Sequence, residues 1–428
     1  MGINTKLLII ELNEFCPSYL RKLSEKYNLK YINRFLDFNH YLTVSNDEKE
    51  FQGLDPWVQW VSIHTGMKSE EHGIKRLGES SKKQKKQLWN YLHKTKKLKW
   101  GVIGPLNASR GSLKGCVTFL PDPWNYLEKP YPEELNDLLE LPIYVSKNYL
   151  AIKPITLLKK CFKTLSFFLK KENLFILKII TLEIFKSLLR PGINIHTFTT
   201  LFDYLIVLYY SKIKSYKNID VSIIFLNHIA HLQHNFWDDL PKVHPQMEYG
   251  VKICDKIMKI FLADINLNNN KILVLNGFKQ KKISKNDTQI YRQINPQFFL
   301  RKLGLKEMKI EQNMTNDAIL EFRSYKKTNY AFELLSNCYL NTGEKLFHVS
   351  KISERKLFFR LDIYHNLEKD AFIQINKIRI PFFKYFKNLN RTGSHIKEGD
   401  IFSPNIKFPS KIKNHEIFNY LVNIYDVN

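Results

Sequence analysis

Val221-Ser222-Ile223-Ile224-Phe225-Leu226 runs directly into Asn227-His228-Ile229-Ala230-His231-Leu232-Gln233-His234-Asn235-Phe236-Trp237. The first part is a short apolar run rich in β-formers, the signature of a strand covered on both faces. Three imidazoles follow at three-residue spacing. In open α/β sheets, sites lie just beyond the carboxyl ends of strands. Imidazole is the commonest metal ligand and shuttles protons near neutral pH. Taken singly, each of these histidines also fits a solvated helix start held by backbone hydrogen bonds.

The same grammar recurs outward from this stretch. Residues 6–12 read as a buried strand, and 17–27 as a helix with Pro17 near its start. Asp55-Pro56-Trp57 opens another helix, with Asp as N-cap and Pro at the first helical position. That helix is expected to end at Thr65-Gly66, where glycine serves as the C-terminal cap. Residues 85–95 read as helical, and Lys99 to Gly104 as a strand entering a loop. Lys271 to Leu275 is a further strand, ended by Asn276-Gly277. Residues 282–350 are mixed, 358–363 read as a strand, and 417–424 as a helix. Strands alternating with helices predict an α/β sandwich: a mostly parallel central sheet covered on both faces.

The composition changes near residue 150. From there to about 215 the chain is helical, apolar and basic, and Pro191-Gly192 interrupts it. We expect one core formed by 1–150 and 216–428, with 151–215 inserted as a basic helical segment. That segment has two readings: a lid packed on the core, or helices lying on an anionic membrane surface.

At 428 residues the chain can bury a large core, and 44% hydrophobic with 25% charged residues is a globular composition. No segment has 18 uninterrupted apolar residues, so no transmembrane helix is expected. The stretch 1–10 turns polar at Glu11, too early for a signal-peptide core, and Lys6 breaks the myristoylation pattern. Five scattered cysteines without a CxxC pair suggest reduced thiols and a cytoplasmic location, and the basic helical segment allows membrane contact at the inner face. The net charge of +25 invites a nucleic-acid reading, but no helix-turn-helix, zinc-finger or RNP-like motif accompanies it. Lysine greatly outnumbers arginine, which also fits an AT-rich coding bias. An anionic lipid or a phosphorylated substrate explains the sign equally well.

Several segments stand in an order that one known superfamily shares. Leu8 to Glu14 resembles the first strand. Trp60 to Met67, followed by Glu71-His72-Gly73-Ile74, is similar to a helix ending in Thr-Gly and a His-Gly-Ile turn. Gln233-His234-Asn235-Phe236-Trp237 resembles the segment that carries a metal-binding histidine. Asp255 fits the acid on the following helix. Gly393-Ser394-His395-Ile396-Lys397-Glu398-Gly399 resembles the final metal-binding histidine motif. Taken together in this order, these segments resemble the alkaline phosphatase superfamily on its phosphodiesterase/nucleotide pyrophosphatase side, over most of the chain except 125–220 and 305–385.

The resemblance implies a two-metal site in which a Thr or Ser at a helix start attacks phosphorus. The departures bear on that chemistry. Asn13 replaces the first Asp, Ala230 another, and Leu275-Asn276 stands where an Asp-His pair is expected. The nucleophile position falls near Pro56, which has no hydroxyl. His234 and His395 remain, and the resemblance assigns them to the same metal. A catalytic zinc needs about three protein ligands. Candidate metal-site residues are therefore His234, His395, Asn13, Asn276, His228 and His231, with Glu11 and Glu14 as further recruits. The ion would be a single divalent metal, zinc or manganese. Asp55 is the candidate catalytic residue, at a helix start that favours a phosphate or sulfate. Two functions stand side by side. One is a hydrolase or transferase acting on a phosphorylated or otherwise anionic small molecule, glycan or lipid precursor. The other is a non-catalytic member binding an anionic ligand or partner.

Overall fold

The computed structural model describes residues 6–45, 54–83, 85–148, 150–216, 218–263, 265–284, 289–312, 316–376 and 378–426. It divides into two compact units. One comprises Met1–Ile143, Leu158–Lys282 and Gly393–Asn428; the other comprises Tyr144–Leu157 and Ile283–Thr392.

The first unit is built on an eight-stranded sheet. We label β1 (Lys6–Leu12), β2 (Asn39–Val44), β3 (Trp100–Ile103), β4 (Cys116–Leu120), β5 (Val221–Leu226) and β6 (Asn270–Leu275). Across the sheet the order is Lys411–Lys413, β2, Glu398–Ser403, β6, β1, β5, β3, β4. The five strands from β6 to β4 run parallel, and Glu398–Ser403 is antiparallel to both its neighbours. The expected mostly parallel sheet is therefore present. It unites strands from both sides of the basic helical stretch, since β1 pairs with both β5 and β6.

Alternation along the strands assigns the two faces. Leu8, Ile10, Leu12, Ile224 and Leu226 enter a core with the helices Pro17–Lys26, Ile195–Tyr216 and Pro245–Leu262. Tyr210 donates its hydroxyl to Ser222 Oγ on that face at 2.6 Å. The intervening residues face the other way. There Phe225 packs edge-on to Trp60 of the helix Pro56–Thr65, and Trp89 of Leu88–Lys96 meets Trp100 and Phe119. Both strand faces are buried, so β5 can be apolar at nearly every position. Each fully buried residue such as Ile10 or Ile224 stabilises the fold by about 1.5–3 kcal/mol.

The helix at Pro56–Thr65 begins and ends as expected, with Gly66 in the left-handed conformation at φ 70°. Asp55 is the N-cap by position, but its side chain makes no capping hydrogen bond. Its backbone carbonyl does the work instead, accepting from Val58 and Gln59 N–H. The helix expected over 85–95 starts later, at Leu88.

The second unit has its own core. A four-stranded antiparallel sheet (Phe347–Ser353, Lys356–Leu361, Asp317–Glu321, Lys309–Gln312) packs with the helix Tyr325–Ser336. Ala331 and Leu335 of that helix are buried with Leu320, Leu357 and Phe359. The strand expected over 358–363 is shifted two residues earlier.

Candidate metal centre

Parallel pairing brings three strand ends to one edge of the sheet. Leu12 of β1 stands opposite Leu226 of β5, and Glu11 opposite Leu275 of β6. The turn after β1 is tied to both neighbours: Asn13 N–H donates to Leu226 O at 2.9 Å, and Glu14 N–H to Asn276 O at 3.1 Å. Glu14 has φ 54°, a left-handed conformation that is unfavourable for a residue with a Cβ. Its carbonyl accepts from Gln280 N–H and from Gln233 Nε2, both at 3.1 Å. These bonds over-determine the turn and hold the strained backbone in place.

The Glu14 carboxylate meets two imidazoles. His234 Nε2 and His395 Nε2 each lie 2.9 Å from Glu14 Oε2, and 3.2 Å from one another. His234 belongs to the helix His228–Phe236, and His395 to the strand Gly393–Ile396. Each outer ring nitrogen is engaged: His234 Nδ1 donates to Gly393 O at 2.9 Å, and His395 Nδ1 to Leu54 O at 2.7 Å. A carbonyl can only accept, so both Nδ1 atoms carry a proton and both Nε2 atoms turn toward Glu14. This is the outer-shell arrangement of metal-ligating histidines. The other Glu14 oxygen accepts from Asn13 Nδ2 at 2.9 Å, and Gln280 Nε2 donates to Oε2 at 2.7 Å.

Glu14 is buried, which by itself raises a carboxyl pKa. The His395 charge and the hydrogen bonds from both imidazoles outweigh that and hold it well below the ordinary value. Among the described residues, Glu14, His234 and His395 form a group of potential ligand atoms all within 4.8 Å of one another. Two ligands about 2.0–2.1 Å from a tetrahedral zinc stand about 3.3 Å apart. The donor set and its spacing thus fit a divalent ion.

The remaining candidates are placed as follows. Asn13 is a buried bridge: Nδ2 donates to Glu14 Oε1 and to Asn227 Oδ1 at 2.8 Å, and Oδ1 accepts from Trp60 Nε1 at 2.7 Å. Asn276 donates to Phe15 O and Asp400 Oδ2, and accepts from Asp400 N–H at 2.8 Å. Asp55 follows Leu54, the residue whose carbonyl receives His395 Nδ1. His228 is buried away from the trio, with Nδ1 2.7 Å from Asp203 Oδ2. His231 is half-buried and is not a member of the Glu14 group. Glu11 is paired with His64 at 2.7 Å, both fully buried. Asp255 Oδ1 accepts from Tyr31 and Ile32 N–H at the start of the helix Lys30–Leu36.

Asp203 and Gln280 were not singled out from sequence. Asp203 Oδ2 accepts Asn227 N–H, His228 N–H and His228 Nδ1, and so anchors the helix that carries His234. The available signal was a lone acid inside the apolar run Leu201 to Tyr210.

No family model matches the chain, and no curated protein matches it. Solved structures are similar to it along nearly its whole length. Human ectonucleotide pyrophosphatase/phosphodiesterase 5 aligns with a TM-score of 0.46 at 9% identity, covering 99% of this chain and 96% of the other. Phosphonoacetate hydrolase from Sinorhizobium meliloti 1021, in complex with phosphonoformate, gives 0.41 at 11% identity over 99% and 96%. Alkaline phosphatase from the Antarctic bacterium TAB5 gives 0.40 at 9% identity over 100% of both chains. All three are members of the alkaline phosphatase superfamily, the family whose motifs the sequence resembles.

Proposed function

We propose that this chain binds one divalent metal ion, zinc or manganese, through Glu14, His234 and His395, and uses it on a phosphorylated or otherwise anionic substrate. The observation that carries the reading is the pair of Nδ1–carbonyl bonds, which aim both Nε2 atoms at the Glu14 carboxylate. Asn13, Asn276 and Gln280 serve as supports, because their amides are already committed to neighbours. Such an ion supplies Lewis acidity toward a phosphoryl oxygen and a lowered pKa for bound water.

The chain's own residues do the rest. The helix Pro56–Thr65 starts two residues after Leu54, so the positive end of its dipole lies near His395 and favours an anion. Asp55, at that helix start, is the proposed general base; near an anion its carboxylate has a use only as a base or as a metal ligand. Glycan or lipid precursors bearing phosphate are the proposed substrate class, in keeping with the net charge of +25. Five free thiols support a reducing, cytoplasmic setting.

A second reading has its own support. Pro56 offers no hydroxyl, and the second metal's expected ligand positions hold Asn13, Ala230 and Asn276. These favour a member that binds an anionic ligand without turning it over.

Metal content of the purified protein and calorimetric titration with zinc and manganese test the metal. About one equivalent, lost in Glu14→Ala and His234→Ala, is expected; no binding to the intact protein rejects the site. Turnover of nitrophenyl phosphate monoesters and diesters by the loaded protein, compared with Asp55→Asn, then separates enzyme from binding protein.

A further inference from the structure

The helices Pro154–Phe168 and Leu174–Leu189 are apolar on more than the side that packs inward. In the second, Ile176, Ile180, Glu183 and Ser187 form the buried stripe. Yet Leu182, Phe185 and Leu189 are exposed, with relative exposures of 54%, 62% and 90%. In the first, Phe167 and Phe168 enter the core, while Leu158 and Phe162 are exposed at 57% and 63%, as is Leu169 just past its end at 59%. A helix on the surface of a water-soluble protein normally turns charged and polar residues outward. Large apolar side chains left exposed along two successive helices mark an interaction site.

The charge around these residues selects the partner. Residues 154–190 carry eight basic side chains against two acidic ones. Some of that charge is answered within the protein. Lys160 and Lys163 both pair with Glu140, Lys170 with Glu134, Lys186 with Glu183, and Arg190 with Glu248. Lys159, Lys171 and Lys178 are exposed on the same two helices and the short turn between them. Outward phenylalanines and leucines with lysines beside them are the composition of a helix seated in the headgroup region of an anionic bilayer. No helix of the described residues is long and apolar enough to cross a membrane, so the seating would be parallel to the surface.

We propose that these two helices dock the protein onto an anionic lipid surface, with Phe162 and Phe185 inserted among the acyl chains and the lysines on the phosphates.

The test is flotation of the full chain with vesicles of phosphatidylcholine alone and of equal parts phosphatidylcholine and phosphatidylglycerol, at low and high salt. Expected is binding to the anionic vesicles, weakened by salt as Lys–phosphate attraction is screened. The double variant Phe162→Gln/Phe185→Gln should bind at least about ten-fold more weakly, since it removes the inserted side chains. Both positions are exposed, so its thermal melting should match the parent. Lys159→Gln/Lys178→Gln should flatten the salt dependence. Equal binding to neutral vesicles, or none to anionic ones, overturns the proposal. So does a dimer in light scattering that the phenylalanine variant converts to monomer, which would assign this face to a second copy of the chain.

Discussion

The Nε2 atoms of His234 and His395 lie 3.2 Å apart across 161 residues of chain, and the same Glu14 oxygen stands 2.9 Å from each. Every outward-facing atom of the two rings that can hydrogen-bond is tied to backbone. The arrangement therefore depends on where Gly393 and Leu54 are held, and not on the two histidines alone.

Gly393 has no room for a side chain. A Cβ there would come within 2.8 Å of Gln233 O, immediately before His234. Gly393→Ala is expected to push the strand Gly393–Ile396 off the helix and loosen the His234 Nδ1 bond. Zinc affinity should fall roughly 10–100-fold, as for other outer-shell changes. Calorimetric titration of parent and variant measures it, and unchanged affinity would show that this contact does not position the ring.

Asp203 should matter to stability and to the site together. Asp203→Ala leaves Asn227 N–H, His228 N–H and the buried His228 ring without their acceptor. Each unsatisfied buried donor costs about 1–3 kcal/mol, so a loss of several kcal/mol is expected. Urea unfolding measures this. A loss below about 1 kcal/mol would mean that the helix His228–Phe236 does not rely on that carboxylate.

The Glu11–His64 pair offers a test of a buried polar contact away from the trio. Removing one partner, as in His64→Leu, strands the other and should cost about 3–5 kcal/mol. The double change Glu11→Leu/His64→Leu should recover much of that, because an apolar pair of similar volume needs no partner. If the two single losses simply add, the residues are not energetically coupled.

Asp122 gives the fold a pH dependence of predictable sign. Burial raises its carboxyl to about 7, against the opposing effect of hydrogen bonds from Asn107, Trp124 and Asn125 N–H. The raised value means that the folded state holds this proton more tightly than the unfolded one. Its contribution is therefore fully present below about pH 4 and is lost as pH rises toward 7. Denaturant stability measured from pH 5 to 8 should fall for the parent more steeply than for Asp122→Asn. Parallel slopes would place the Asp122 carboxyl in its ordinary range.

Much of this architecture is legible from local sequence. β1, β5 and β6 are short runs of apolar and β-branched residues, and any strand buried on both faces must look so. The helix Pro56–Thr65 announces both its ends, because proline is tolerated at a first turn and Gly66 can adopt φ 70°. His234 and His395 stand out through their motifs. The role of Asp255 and the compactness of Ile283–Thr392 were not visible, since both depend on contacts between segments distant in sequence.

Glu11 and Glu14 show where local reading stops. Three residues apart, they are chemically alike, and sequence offers both as partners for the histidines. Within β1 the pleat turns Glu11 toward the helix Pro56–Thr65, where His64 takes it. Past the strand end, a left-handed backbone bonded to Asn276, Gln280 and Gln233 turns Glu14 toward His234 and His395. Side-chain period and chain stops are local properties, and the sequence alone determined them. Which carboxylate meets which imidazole depends on sheet register and on hydrogen bonds between residues more than 200 apart, such as Gln233 Nε2 to Glu14 O, and those exist only once the sheet has closed.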